Sequence, residues 1–263
     1  TDMLSKTILT SALLALILAV SPVWAGPSDE EKLPRGAREI RKGVFDLGVA
    51  VEPLSGRPVR GKAFVHNRQN QPQVASLATC YGFIGGGVKW TANENFLFNA
   101  SNRSGLAGSS LRNVVNAGLA KWEDAADGTL GNGGPNIVGE STLTSSRLRA
   151  DYSFPDGRNE IYFGGISGGS IGVTVIWYTT TTLEIVETDQ VYNDRSYRWS
   201  LSGEANRMDF DNIVTHEHGH VFGLEDQYEN SCAEATMYGY ADYGETKKRD
   251  LDQPDITGVD LLY

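Results

Sequence analysis

The chain is poor in sulfur and in histidine, with two cysteines, three methionines and four histidines in 263 residues. Two thiols exclude a four-cysteine zinc cluster and a disulfide-dense miniprotein, and leave room for one bridge. Basic side chains are also in deficit, 23 against 33 acidic, for a net charge of -10. An acidic surface repels phosphate backbones and gains nothing from counterion release, so nucleic acid is not an expected partner. Beyond the amino end no apolar run approaches the roughly 20 residues that a bilayer span needs. Against these deficits, 40% hydrophobic and 21% charged residues are the balance of a soluble globular chain. That excludes a collagenous, coiled-coil or largely disordered protein, and no internal repeat is found.

At the amino end Lys6 precedes an apolar run from Ile8 to Val20, and Val23-Trp24-Ala25 offers small or apolar residues where a signal peptidase cuts. Residues 1–25 read as a signal peptide, which predicts a secreted, extracellular protein with no membrane span after cleavage. In an oxidising compartment Cys80 and Cys232 can pair. Residues 26–79 are rich in Arg, Gly, Pro and Gln and carry nine basic against six acidic side chains, +3, whereas residues 80–263 carry 13 against 26, -13. The change of sign places a boundary near 75 to 80. The basic segment reads as a prosegment lying over the site or as a linker, ahead of a domain over 80–263.

In that domain Ser109 and Ser110 offer a cap before Leu111, Val115 and Trp122, whose spacing predicts a helix to about Ala126. Short β-type runs follow at Ile137 to Glu140, Glu160 to Ile166, Ile171 to Thr179 and Leu183 to Asn193. Helical signal returns at Asp209 to Phe222 and Pro254 to Tyr263. Strands bracketed by helices without strict alternation predict an α+β domain.

Three of the four histidines fall in Thr215-His216-Glu217-His218-Gly219-His220, an HExxH motif. On a helix, positions i and i+4 share a face, so His216 and His220 can send two ring nitrogens to one metal ion while Glu217 faces the ion's open position. His218 points roughly 200° away from His216 and reads as packing or surface. Gly223 just past the helix permits a left-handed turn, and Asp226 three residues on is a third ligand type, with Glu225 its neighbour and competitor.

The string HExxHxxGxxD resembles the metzincin zinc peptidases, whose third ligand is usually His and in some branches Asp. Ala235-Thr236-Met237-Tyr238-Gly239-Tyr240 resembles their Met-turn, and the ending Asp255 to Tyr263 resembles the terminal helix of matrixins. With Lys89-Trp90, Phe96 to Asn99 and the helix through Trp122, the likeness covers about Cys80 to Tyr263, and is strongest to secreted matrixin-like proteins of archaea and some bacteria. It implies a twisted mixed β-sheet with a first long helix, an active-site helix and a C-terminal helix. It further implies a zinc-dependent endopeptidase in which Glu217 takes the proton from a zinc-bound water and passes it to the leaving amine. The metal ligands are then His216, His220 and Asp226, the methionine is Met237, and the substrate is a protein or peptide cut by a monomer.

Three departures qualify this likeness: Asp226 replaces the usual histidine, the matrixin prosegment thiol motif is absent, and Leu183 to Asn193 lacks the histidine of a second, structural zinc. One zinc is therefore expected. Ile171 to Tyr178 resembles the edge strand on which substrate is laid antiparallel, with an internal strand as the alternative, and Tyr238 and Tyr240 are candidate pocket walls. Cys80 and Cys232 are expected to form a disulfide; the alternative has Cys80 as a latency ligand. Asp124, Asp127 and Asp194 allow calcium, though no DxDxDG loop occurs. Two rival functions stand beside this reading. Gly165-Ile166-Ser167-Gly168-Gly169 fits the GxSxG of a serine hydrolase, but runs into a strand where a nucleophile elbow needs a helix. The other rival is a non-catalytic secreted metal-binding or adhesion module.

Overall fold

The computed structural model describes residues 30–68 and 79–263; the expected signal segment, 1–25, lies outside the described residues. Twelve strands and three α-helices are formed there: β1 (Glu30–Glu31), β2 (Arg38–Arg41), β3 (Val44–Val51), β4 (Pro58–Arg68), β5 (Phe96–Asn99), α1 (Gly108–Ala125), β6 (Ser141–Leu143), β7 (Asn159–Ile166), β8 (Gly172–Thr179), β9 (Ile185–Asn193), β10 (Trp199–Ser200), β11 (Met208–Asp209), α2 (Phe210–Val221), β12 (Tyr240–Ala241) and α3 (Gln253–Asp260). The main sheet runs β2-β3-β4-β8-β9-β7-β5-β6, with β1 on β7 and β12 on β4. Strands β5, β6, β7 and β9 pair in parallel, β8 is antiparallel to β4 and β9, and β4 is antiparallel to β3 and parallel to β12. This is the mixed sheet of an α+β domain.

The amino-terminal segment is where the sheet departs from expectation. Residues 30–68 contribute β1 to β4 to the same sheet, so the change of charge near residue 79 does not mark a break in it. Strand β4 pairs with β8 over eight consecutive positions, from Val59 opposite Thr179 to His66 opposite Gly172. β8 is consequently an internal strand, not an edge. The run expected as a strand at Ile137 to Glu140 is irregular, and the short β6 begins just after it at Ser141.

Strand alternation sorts side chains to two faces. On one face Val59, Ala63, Val173, Val175 and Trp177 pack with Tyr152 and Tyr162. On the other, Phe64 and Ile176 join the larger core with α1 and α2, built around Trp122, Phe163, Tyr192, Trp199 and Phe210. Helix α1 starts at Gly108 with no side-chain cap, so Ser109 and Ser110 lie inside its first turn. It approaches α2 closely at Gly118, where a Cβ would stand 2.8 Å from His218 Cδ2. Helix α2 is capped by Asp209, whose carboxylate accepts from the Asn212 amide at 3.0 Å, and carries Asp211 in its first turn, where the helix dipole favours an acid.

Candidate metal centre

Helix α2 is buried along its metal-facing stripe, and its one-turn spacing brings His216 and His220 to one side. Backbone carbonyls orient both rings: His216 Nδ1 donates to Thr236 O at 2.6 Å and His220 Nδ1 to Leu224 O at 2.8 Å. A carbonyl can only accept, so each Nδ1 carries the hydrogen and each Nε2 is left with a lone pair, as metal ligation requires. His216 Nε2 is buried without a hydrogen-bond partner.

Gly223 supplies the turn that follows. Its φ is +93°, and a Cβ there would lie 2.2 Å from Val88 O, so both conformation and space demand glycine. The turn brings Asp226 back to the helix, with Oδ1 at 3.2 Å from His216 Nε2 and 3.6 Å from His220 Nε2. Tyr228 donates its hydroxyl to Asp226 Oδ2 at 3.1 Å. Glu225 turns the other way, to Arg41 at 2.6 Å and Lys62 at 3.9 Å, which settles the competition between the two acids by geometry.

A fourth side chain is present that sequence reasoning missed. His66, near the end of β4, places Nε2 at 3.1 Å from both Asp226 oxygens and 3.2 Å from His220 Nε2. Ligands bound to zinc at about 2.0–2.1 Å in a tetrahedron stand roughly 3.3 Å from one another. The spacings of Asp226 from the three histidines and of His66 from His220 lie near that edge, all four donors fall within 4.8 Å of one another, and the set of three imidazoles and one carboxylate suits zinc. The only hint in the sequence was that His66 is the one histidine outside the motif. It lay in a segment whose strands have no contacts legible from composition.

Glu217 sits against the same centre without being part of that ligand set. Its Oε1 is 2.7 Å from His66 Nδ1, and Thr174 of β8 donates its hydroxyl to Oε2. Burial works against the charge of Glu217 and Asp226, but the adjacent His66 outweighs it, and both carboxyls titrate below their ordinary range. Burial lowers His216 to about 4, so it stays neutral. His66 is the exception: burial lowers it, but Asp226 and Glu217 outweigh that and lift it to about 10, so a cation must displace its proton.

Beneath α2 lies Met237, 1% exposed, packed so closely that a Cβ on Gly219 would fall 2.1 Å from its Sδ. Asp255 of α3 fixes this turn by accepting from the Thr236 amide at 2.7 Å and the Met237 amide at 3.0 Å. Tyr240 lines the cavity beside the centre, along with His66, Ile171, His216, Glu217 and Lys248; Tyr238 does not line it. Lys248, buried and lowered to about 8 by that burial, donates to Tyr238 O and Tyr240 O. The disulfide Cys80–Cys232 is formed, with a Cα–Cα distance of 5.2 Å.

His218 faces away into the core, against Val115 O and Gln190. Ser167 sits in a single 3-10 turn that leads into β8, and all four histidines are engaged elsewhere. Asp124, Asp127 and Asp194 do not assemble; each accepts from nearby chain, at Gly131 and Gly133, at Thr129, and at Arg103 respectively. The carboxylates that do converge are Asp151, Glu187 and Asp189. Glu187 is fully buried, and its Oε1 has no hydrogen-bond partner.

An α+β sheet that leads into a helix bearing two histidines one turn apart, a glycine turn returning an acid, and a buried methionine below defines a metzincin-type fold. The family model described as matrixin matches residues 177–263, from the end of β8 through α3, and over that stretch the chain is similar to the matrixins. The match supports a zinc metallopeptidase. No curated protein matches the chain.

Proposed function

We propose that this protein is a secreted, monomeric zinc endopeptidase that hydrolyses peptide bonds in protein or peptide substrates. The observation that carries this reading is the convergence of His216 Nε2, His220 Nε2 and Asp226 on one point, with the Glu217 carboxylate beside it. The secretion reading rests on the signal-like residues 6–25 together with the disulfide, which suits an oxidising compartment.

Zinc held by these side chains supplies a Lewis acid that polarises the scissile carbonyl and makes water more acidic. Glu217 is the proton carrier: it accepts from the attacking water and delivers to the departing amine. Thr174 orients its second oxygen, and the adjacent His66 holds Glu217 ionised against its burial. Asp226 brings a negative charge to the ion, which weakens its acidifying effect on water and leaves more of the proton transfer to Glu217. Calcium fits best at Asp151, Glu187 and Asp189, where an oxygen-preferring dication would answer three converging acids and the unpartnered Glu187 Oε1.

Purified full chain is expected to contain one zinc per molecule, and the chain with His66 replaced by alanine to cleave casein or a mixed peptide library, with activity removed by a chelator and restored by zinc. Absence of zinc, or cleavage that survives chelation, defeats the reading. One observation favours a non-catalytic metal-binding module instead: His66 stands where the fourth ligand of a closed, structural site would be. Zinc retained with no cleavage of any peptide, even after replacement of His66, would select that module.

A further inference from the structure

We propose that residues 59–66 of this chain are a built-in occupant of its own substrate cleft, with His66 filling the metal position that catalysis needs open, so that the chain as folded is a latent form. The proposal rests on the zinc-peptidase reading above. An extended peptide adds to a sheet through main-chain hydrogen bonds along an open edge, with alternate side chains entering the site. The strand nearest the centre able to offer that edge is β8, which carries Thr174 toward Glu217. Strand β4 covers it antiparallel from residue 172 to residue 179, with no edge left free.

The register carries the argument to the chemistry. On β4 the side chains of Phe64 and His66 face α2: Phe64 stacks on the His220 ring at 4.3 Å, and His66 reaches the centre two residues on. His66 engages both parts of the catalytic apparatus at once. Its Nε2 stands at ligand spacing from Asp226 and His220, and its Nδ1 is bonded to the Glu217 oxygen that would otherwise accept a proton from water. A peptide carbonyl and a water therefore have neither the metal position nor the base.

Charge reinforces the docking. Residues 30–68, with nine basic against five acidic side chains for +4, lie on a body of -13, and their cations meet acids of that body: Arg41 and Lys62 at Glu225, Arg57 at Glu184, and Arg68 at Asp242. Packing adds to it at Gly43, where a Cβ would lie 2.8 Å from the Tyr228 hydroxyl, the same group that holds Asp226.

The test uses full chain loaded with cobalt in place of zinc, with acetohydroxamate as the metal-seeking probe and a quenched fluorescent peptide as substrate. In the unaltered chain the visible cobalt spectrum is expected to ignore the probe. In His66→Ala the spectrum should respond at probe concentrations at least tenfold lower, and peptide cleavage should rise by about a hundredfold or more. Gly61→Val is a second variant away from the centre: a Cβ at Gly61 already falls 2.7 Å from the Trp177 ring, so a larger side chain should prise β4 from β8 and raise both readouts in the same direction. Equal probe response and equal cleavage in the unaltered chain and in either folded variant would overturn the proposal while leaving the metal site standing. Failure of the unaltered chain to take up one cobalt would overturn the site itself.

Discussion

At the scale of single residues, each group at the centre has one physical task, and substitution separates the tasks. Made in the His66→Ala background, Glu217→Ala should leave zinc content unchanged and lower peptide cleavage by about 10²–10⁴-fold, the range a positioned general base supplies. Such a variant still cutting at the parent rate would remove Glu217 from the mechanism. Tyr228 touches Asp226 only from outside, so Tyr228→Phe should weaken zinc affinity by roughly 10–100-fold, read by competition with a chromogenic chelator. Unchanged affinity would show that the hydroxyl does not orient the carboxylate. The choice of Asp226 over Glu225 was legible through the likeness to the metzincin spacing after Gly223, and the turn there returns Asp226, not Glu225, to the helix. His66 was not legible, since nothing in its neighbours announces which strand lies beside it.

At the scale of elements, α3 acts on the site through Asp255, whose carboxylate caps its own helix and holds the amides of Thr236 and Met237. Asp255→Ala strips two buried amides of their acceptor, each worth about 1–3 kcal/mol when left unpaired, and should lower the thermal midpoint and loosen the methionine turn. A midpoint within a degree of the parent would contradict this. The disulfide joins residues 152 apart, and loss of such a bridge removes about 2–5 kcal/mol. Cys80→Ser with Cys232→Ser should show this as a lower denaturant midpoint, with a steeper slope as the unfolded chain loses its cross-link. Helices α1 and α2 and strands β7 to β9 were readable from periodicity, because each buries one stripe or alternates. Strand β6 and the uncapped start of α1 were not, because loop geometry decided them.

At the scale of the whole molecule, the buried acids Asp151, Glu187 and Asp189 link stability to pH. Burial raises Glu187 to about 8 and Asp151 to about 6, and puts Asp189 well above its ordinary value, whereas in the unfolded chain all three titrate near 4. The folded form thus holds protons that the unfolded form has released, and stability from this cluster is full below about pH 4 and declines as pH rises toward 8. Melting of calcium-free protein from pH 5 to pH 8 should show that decline, and calcium should reduce it by replacing the protons. A flat or rising profile without calcium would exclude the cluster as the source.

Taken alone, the amino-acid order and the family likeness it carries indicated the class of fold, the helix bearing two histidines one turn apart, the glycine turn, the acid that follows it, the glutamate beside the first histidine and the methionine below. The two histidines, the glutamate, the glycine and the acid are local in sequence, within about ten residues on one helix and the turn after it, and the likeness to the family's methionine turn extended the reading to Met237. Tertiary structure alone decided that a basic amino-terminal segment closes the edge of β8, that His66 arrives 150 residues ahead of its partner His216, and that Asp151 meets Glu187 and Asp189 of β9. Those pairings are long-range. Strand register and main-chain hydrogen bonding set them, and main-chain groups are the same in every residue, so no pattern of side chains along the chain reports which two strands will meet.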